Sequence, residues 1–134
     1  MTDNRQLDPV TLTMWWNKLI TIVDEAQATL LRTAFSRIVT DAWDFSCALF
    51  DTKGRMIAQG RHGLPQFTGC MSLAIRDFLE AFPIDTLEPG DSLITTDPWI
   101  GASQINDVFF LTPIFRNGRV VAFAMNVSHS PDVG

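Results

Sequence analysis

Read from its amino terminus, the chain first offers an apolar stripe. Leu12, Trp15, Trp16, Leu19, Ile22, Val23, Ala26 and Leu30 recur at steps of three and four residues, the spacing of one face of an α-helix. Asp8-Pro9 stand just ahead of it. An Asp side chain accepts from a free first-turn amide, and proline fits the first helical position without losing a bond. The spacing therefore predicts a helix from Pro9 to near Ser36, about seven turns long. Its two tryptophans are expected in core or interface packing rather than on a ligand platform.

After Val39-Thr40-Asp41-Ala42-Trp43-Asp44 the period changes. Phe45 to Phe50, the turn Asp51-Thr52-Lys53-Gly54 and Arg55 to Gln59 read as strand, turn, strand, with Gly54 supplying the positive φ of a tight reversal. Gly60 to Pro65 reads as a loop carrying an exposed His62. A second helix is expected from Thr68 to Phe82, with Met71, Leu73, Ala74, Ile75, Phe78 and Leu79 on its apolar face and Pro83 ending it. Asp91 to Thr95 reads as a strand. Val108 to Phe115 and Val120 to Val127 form a second hairpin about Asn117-Gly118. Helix, hairpin, helix and strands in this order give an α+β class rather than alternating α/β, in one domain over residues 1–134. The polar residues 1–7 are expected to fray.

Composition narrows the partners. At 134 residues and 46% hydrophobic, the chain suffices for one core. Its net charge of −5, with no Lys/Arg cluster, lacks the basic footprint that nucleic acid or an anionic membrane surface requires. The longest apolar runs, such as Val120 to Met125, are far short of a bilayer span, and Met1-Thr2-Asp3-Asn4 has no signal-peptide pattern, so a cytoplasmic protein is expected. Cys47 and Cys70 form no Cys-x-x-Cys pair and read as buried reduced thiols. Ten Phe and four Trp with no Tyr leave aromatic surface without a hydroxyl, suited to burial against another protein.

No phosphate loop, dinucleotide fingerprint, Gly-x-Ser-x-Gly elbow or His-Glu-x-x-His helix is present. The candidate chemistry lies instead in Thr96 to Asp107 and Ser128 to Gly134, where carboxylates stand beside turn residues at the ends of apolar runs. Taken singly, Asp97-Pro98 and Ser130-Pro131-Asp132 are also ordinary turn formers. Together with Asp41 they give a dispersed set: Asp41, Asp107, His129 and Asp132, with Gln104 three residues before Asp107. Oxygen and imidazole donors from separate elements suit a divalent ion such as Mn, Fe or Zn.

The order of motifs resembles the amino-terminal region of the hydantoinase B/oxoprolinase family. The matching stretches are Asp8 to Leu12, Arg32 to Ser36, Asp44-Phe45-Ser46-Cys47-Ala48-Leu49-Phe50, Gly54 to Gln59, Pro89-Gly90-Asp91, Asp97-Pro98 with Gly101 and Asp107, Thr112 to Phe115, and His129 with Asp132-Val133-Gly134. The resemblance covers nearly the whole chain and about the first quarter of a usual member, so the fold is expected to be part of a larger hydantoinase B-like one. In acetone carboxylase relatives a metal is held by an acidic residue ahead of the Asp-Phe-Ser-Cys motif, by a His-x-x-Asp motif and by a later His. These positions fall on Asp41, Gln104, Asp107 and His129. Gln104 departs from the pattern, because a neutral amide oxygen is a poor transition-metal ligand. The implied metal ligands are therefore Asp41, Asp107 and His129, with zinc expected ahead of manganese.

The resemblance implies the small subunit of a hetero-oligomeric, ATP-dependent, biotin-independent ketone carboxylase of the acetophenone type. Its alternatives are a subunit of an ATP-dependent N-methylhydantoinase or oxoprolinase, a free-standing metallohydrolase, and an assembly subunit with a decayed metal site that docks through the first helix. ATP would be used by hydantoinase A-like partner subunits. Because relatives continue past Gly134, further hydantoinase B-like subunits would cover the strand edges left there.

Overall fold

The computed structural model describes residues 8–101 and 104–132. The frayed amino terminus expected over residues 1–7, and Ala102, Ser103, Val133 and Gly134 of the two candidate stretches, lie outside them. Helix α1 spans Pro9–Thr33, begun by Asp8, whose Oδ1 accepts from the amides of Val10 and Thr11 at 3.0 and 3.1 Å. A four-residue helix, α2 (Arg37–Thr40), follows with Ser36 as its cap. Strands β1 (Phe45–Phe50) and β2 (Met56–Gln59) form the first hairpin, its turn held by Asp51 Oδ1 on the amides of Lys53 and Arg55 and by Gly54 at φ 72°. Helix α3 spans Pro65–Ala81. After it come β3 (Leu93–Thr95), β4 (Asp107–Arg116) and β5 (Arg119–His129).

All five strands make one antiparallel sheet in the order β2-β1-β5-β4-β3. The β4–β5 hairpin turns on Asn117 and Gly118, both at positive φ, as a two-residue Asn-Gly loop requires. Alternation along the strands sends Phe50, Phe109, Leu111, Phe123, Met125 and Val127 to one face. There α3 covers them with Phe67, Met71, Ala74, Ile75 and Phe78, the main core. On the other face α1 packs Val23 against Phe45, Cys47, Leu49 and Ala58, so it shields chiefly β1 and β2.

Three expectations change here. The helix predicted from Thr68 begins three residues earlier, at Pro65, because proline occupies its first turn rather than the preceding loop. The stripe of α1 is not buried along its length: Trp15 and Trp16 are 61% and 58% exposed, and Val23 and Gln27 are the buried residues of this helix. The amino-terminal turns of α1 are exposed or only partly covered, and its packing on the sheet comes from Leu19, Ile20, Val23, Leu30 and Leu31. Phe110, Ile114 and Ile94 are exposed on the sheet, and beside them an apolar groove of about 520 Å³ lies between Ala26 and Leu30 of α1 and Ile114 and Ala124 of the sheet. The free thiols divide, Cys47 being buried and Cys70 half-buried. Among the described residues no helix is long and apolar enough to cross a membrane.

Candidate functional site

The two stretches that sequence singles out meet at one end of the sheet. Asp107 opens β4 and His129 closes β5, and the register pairs them directly. Asp107 is 2% exposed, and its Oδ1 lies 2.8 Å from His129 Nδ1. An ionised Asp107 takes Nδ1–H as its donor and so fixes the imidazole, leaving Nε2 as the ring's other edge. Just beyond the strands, the Ser130 amide and hydroxyl donate to Asn106 O at 2.8 and 3.0 Å, and Asn106 Nδ2 donates to Ser130 O. These bonds zip the entry to β4 against the exit from β5, so the pair is held on both sides.

A third group comes from the start of β1. Asp44 donates its amide to Ile38 O, accepts the His129 amide on its carbonyl at 3.0 Å, and is the centre of a γ-turn closed by the Phe45 amide on Trp43 O at 2.9 Å. Its carboxylate Oδ1 is buried and, among the described residues, has no hydrogen-bond partner. Burial pushes the Asp44 carboxyl above its ordinary value; the facing His129 opposes that shift and the Asp107 charge adds to it. A buried carboxylate oxygen without a hydrogen bond, beside a second carboxylate, is an arrangement that calls for a functional reason.

The neighbouring elements close in on this corner. Cys70 on α3 has its thiol pushed up, first by burial and then by the Asp107 charge, so it lies within the field of that carboxylate. Gly101 sits on α3 at φ 68°, where an added Cβ would lie 2.5 Å from both Ala74 Cβ and Cys70 O. Only glycine admits so close an approach.

Of the residues named from sequence, Asp107 and His129 are brought together. Asp41 is not with them: at the end of α2 it is exposed and binds Arg37 Nε at 2.9 Å and the Thr40 hydroxyl. Gln104 lies exposed in the turn before β4, its carbonyl accepting the Asp107 amide. Asp132 is exposed three residues past β5, and His62 is exposed in its loop as expected. Asp44 is the residue that the sequence reading misses, since that reading settles on Asp41. The signal available for it is its place in the Asp-Phe-Ser-Cys motif, immediately ahead of a wholly buried strand.

Carboxylate and imidazole donors match the chemistry of a Zn or Mn site, and the orphaned Asp44 Oδ1 is the kind of group a cation would satisfy. Among the described residues, however, no three His, Cys, Asp or Glu side chains stand as a ready-made cage. One ion held by both Asp107 and His129 would require their hydrogen bond to open, since His129 Nδ1 and Asp107 Oδ1 are engaged with each other.

A hydantoinase B/oxoprolinase family model matches residues 8–134. The chain is 33% identical over 129 residues to the 5-oxoprolinase PfmaA of Pestalotiopsis fici, covering 96% of this chain and 10% of that protein. It is 34% identical over 127 residues to the 5-oxoprolinase 1 of Arabidopsis thaliana, covering 95% and 10%. Among solved structures, the ATP-dependent caprolactamase of Pseudomonas jessenii superposes with TM-score 0.73 at 25% identity over 92% of this chain and 21% of that one. The nucleotide-free acetone carboxylase shares the fold, with TM-score 0.80 at 24% identity over 93% and 16%. The chain thus spans between about a tenth and a fifth of the length of these relatives. Long helix, antiparallel sheet and second helix match one part of their larger fold, and the chain belongs to the hydantoinase B/oxoprolinase family.

Proposed function

We propose that this chain is the site-bearing piece of an ATP-dependent enzyme that opens a cyclic amide, with Asp44, Asp107 and His129 as its active-site groups. The observation that carries the reading is the buried Asp44 Oδ1, without a hydrogen-bond partner among the described residues, beside the Asp107–His129 pair at the strand ends. The choice of substrate class rests on the relatives, two named as 5-oxoprolinases and one as a caprolactamase, names that each point to a ring amide. The ketone carboxylase of acetophenone type implied by the sequence motifs stands second, because the likeness to acetone carboxylase at 24% identity is one of fold.

In either reaction negative charge gathers on the oxygen of a carbonyl under attack or enolisation. A bound zinc or manganese ion would supply Lewis-acid stabilisation of that charge. Asp44, Asp107 and His129 would hold it, Asp44 standing in for Asp41, which is bound to Arg37. Without the ion Asp107 holds the imidazole in one orientation and tautomer, a bond that gives way when both residues take the ion, and the bond from the His129 amide to Asp44 O ties the Asp44 backbone to the same strand end. With no phosphate loop in the chain, phosphoryl transfer falls to a hydantoinase A-like partner. Further hydantoinase B-like polypeptide would cover the exposed tryptophans of α1 and the open face of the sheet.

The test is co-expression with the hydantoinase A-like partner and purification of the complex through a tag on this chain. ATP-dependent loss of 5-oxoproline, hydantoin or caprolactam is the expected activity, with a stoichiometric transition metal in the complex. Asp44→Asn and His129→Ala should lower it at least about 100-fold, while Asp41→Asn should leave it within about twofold. Bicarbonate fixation onto acetone or acetophenone would select the carboxylase instead. Equal loss from Asp41→Asn would return Asp41 to the site, and no turnover of either class would sink the proposal.

A further inference from the structure

Trp43, one residue before Asp44, holds a left-handed backbone conformation at φ 58°. Such a conformation is unusual for a bulky side chain and persists only where the surroundings impose it. The surroundings here are specific. The Trp43 ring meets His62 edge-on at 5.1 Å between centroids and lies 6.5 Å from Phe45. His62 is in turn fixed to α1: Gln27, 1% exposed, donates through Nε2 to His62 O, and its Oε1 accepts the His62 amide at 3.3 Å. Asp24 takes the neighbouring Arg61 amide at 2.8 Å and the Arg61 guanidinium at 2.9 Å. The loop also packs closely: a Cβ at Gly60 would strike Gln27, and one at Gly63 would lie 2.8 Å from Phe45 O.

The consequence falls on Asp44. From the left-handed residue the chain enters the γ-turn whose accepting carbonyl belongs to Trp43 itself, and that turn puts Asp44 O on the His129 amide. We infer that Trp43 is a positioning residue for Asp44: its left-handed conformation, clamped by His62 and Phe45, directs the Asp44 carboxylate to the Asp107–His129 pair. This rests on the reading of those three groups as the site. Trp43 touches none of the reacting atoms and acts through its neighbour.

The experiment compares variants that all remove the ring but differ in tolerance of positive φ. Trp43→Asn accepts the left-handed region, whereas Trp43→Val, being β-branched, resists it. Trp43→Ala is the milder variant should Trp43→Val fail to fold. The readout is amide hydrogen exchange and the Asp44 carboxyl carbon resonance, measured on metal-free protein. The His129 amide, which bonds Asp44 O, should lose protection roughly tenfold in Trp43→Val, less in Trp43→Ala, and no more than about threefold in Trp43→Asn. The Asp44 carboxyl resonance should move in the same order. Protection of Leu111 in the middle of β4 should stay unchanged, which a general loss of stability would not allow. Equal effects from Asn, Ala and Val, or parallel loss at Leu111, would overturn the inference. Manganese affinity in the same variants, with Asp44→Asn as reference, separates this from the functional reading. If wild type binds no manganese while the exchange order holds, the metal reading fails and the positioning role stands.

Discussion

Asp107 and His129 are register partners across β4 and β5, and their side chains close to 2.8 Å on the face of the sheet that α3 covers. The bond ties the first residue of one strand to the last of the other, so it locks the open end of the hairpin opposite the Asn117-Gly118 turn. Replacing either residue alone by Ala leaves its partner unpaired, Asp107 in a dry place and His129 in a half-buried one. A double-mutant cycle with Asp107→Ala and His129→Ala in urea denaturation should give a coupling energy of roughly 1–2 kcal/mol. A value near zero would mean that water satisfies both groups equally well.

The fold disfavours the charge on the Asp44 carboxylate. The carboxyl is raised by burial, with the Asp107 charge also raising it against the pull of His129. The stability linked to a raised acid is present below its unfolded value and is lost as pH rises through the folded one. At neutral pH Asp44→Asn should therefore raise Tm, by about 1–3 °C once solvent screening of a part-buried group is allowed for. The gain should vanish on acidifying below the ordinary value of 3.8. Gained stability with lost activity is the signature of a charge kept for function.

How much of this is legible in the sequence depends on how far each feature reaches along the chain. Asp8-Pro9, Gly54 and Asn117-Gly118 act within four residues of themselves, and each puts its helix or turn where expected. Pro65 is legible too, but it reads as a breaker when it starts α3. Asp107 and His129 stand out because Asp107 opens one apolar run and His129 closes another. Asp41 and Asp44 lie only three residues apart, and nothing local separates them. What separates them is the pairing of Phe45 with Ser128, which carries Asp44 to His129 and leaves Asp41 on the surface with Arg37. The exposure of Trp15 and Trp16 is illegible because a stripe records which face of a helix is apolar, not where the sheet beneath it stops. Gln27 gives a quieter signal, a polar residue four places after Val23 on the buried side, where it holds the His62 peptide.

The two thiols should react at very different rates. Burial raises the Cys47 thiol to about 12, and the residue is buried between α1 and β1. Cys70 is only half-buried, though burial and the Asp107 charge both raise it. A raised thiol has less thiolate at any given pH, and the thiolate is what attacks. With iodoacetamide at about pH 8, Cys70 should be modified first and more slowly than a free thiol, whereas Cys47 should wait for unfolding. Mass-resolved peptide mapping over time distinguishes them, and equal rates would contradict the packing of α1 on β1.

Gly101 and Gly118 separate two reasons for a glycine. Both have positive φ, at 68° and 72°, but an added Cβ at Gly118 meets nothing within 4 Å while one at Gly101 runs into Ala74 and the Cys70 carbonyl. Gly118→Ala should carry only the backbone penalty, about 1 kcal/mol. Gly101→Ala adds a steric clash that backbone atoms of a helix cannot relieve by rotating, so its total should reach about 3 kcal/mol. The alternative to bearing that strain is for the loop from Asp97 to Gly101 to lift off α3 and expose Cys70. Gly101→Ala should then quicken Cys70 alkylation several-fold relative to wild type, and Gly118→Ala should leave it alone. Comparable destabilisation by the two substitutions, with no change at Cys70, would mean that the loop does not rest on α3 in solution.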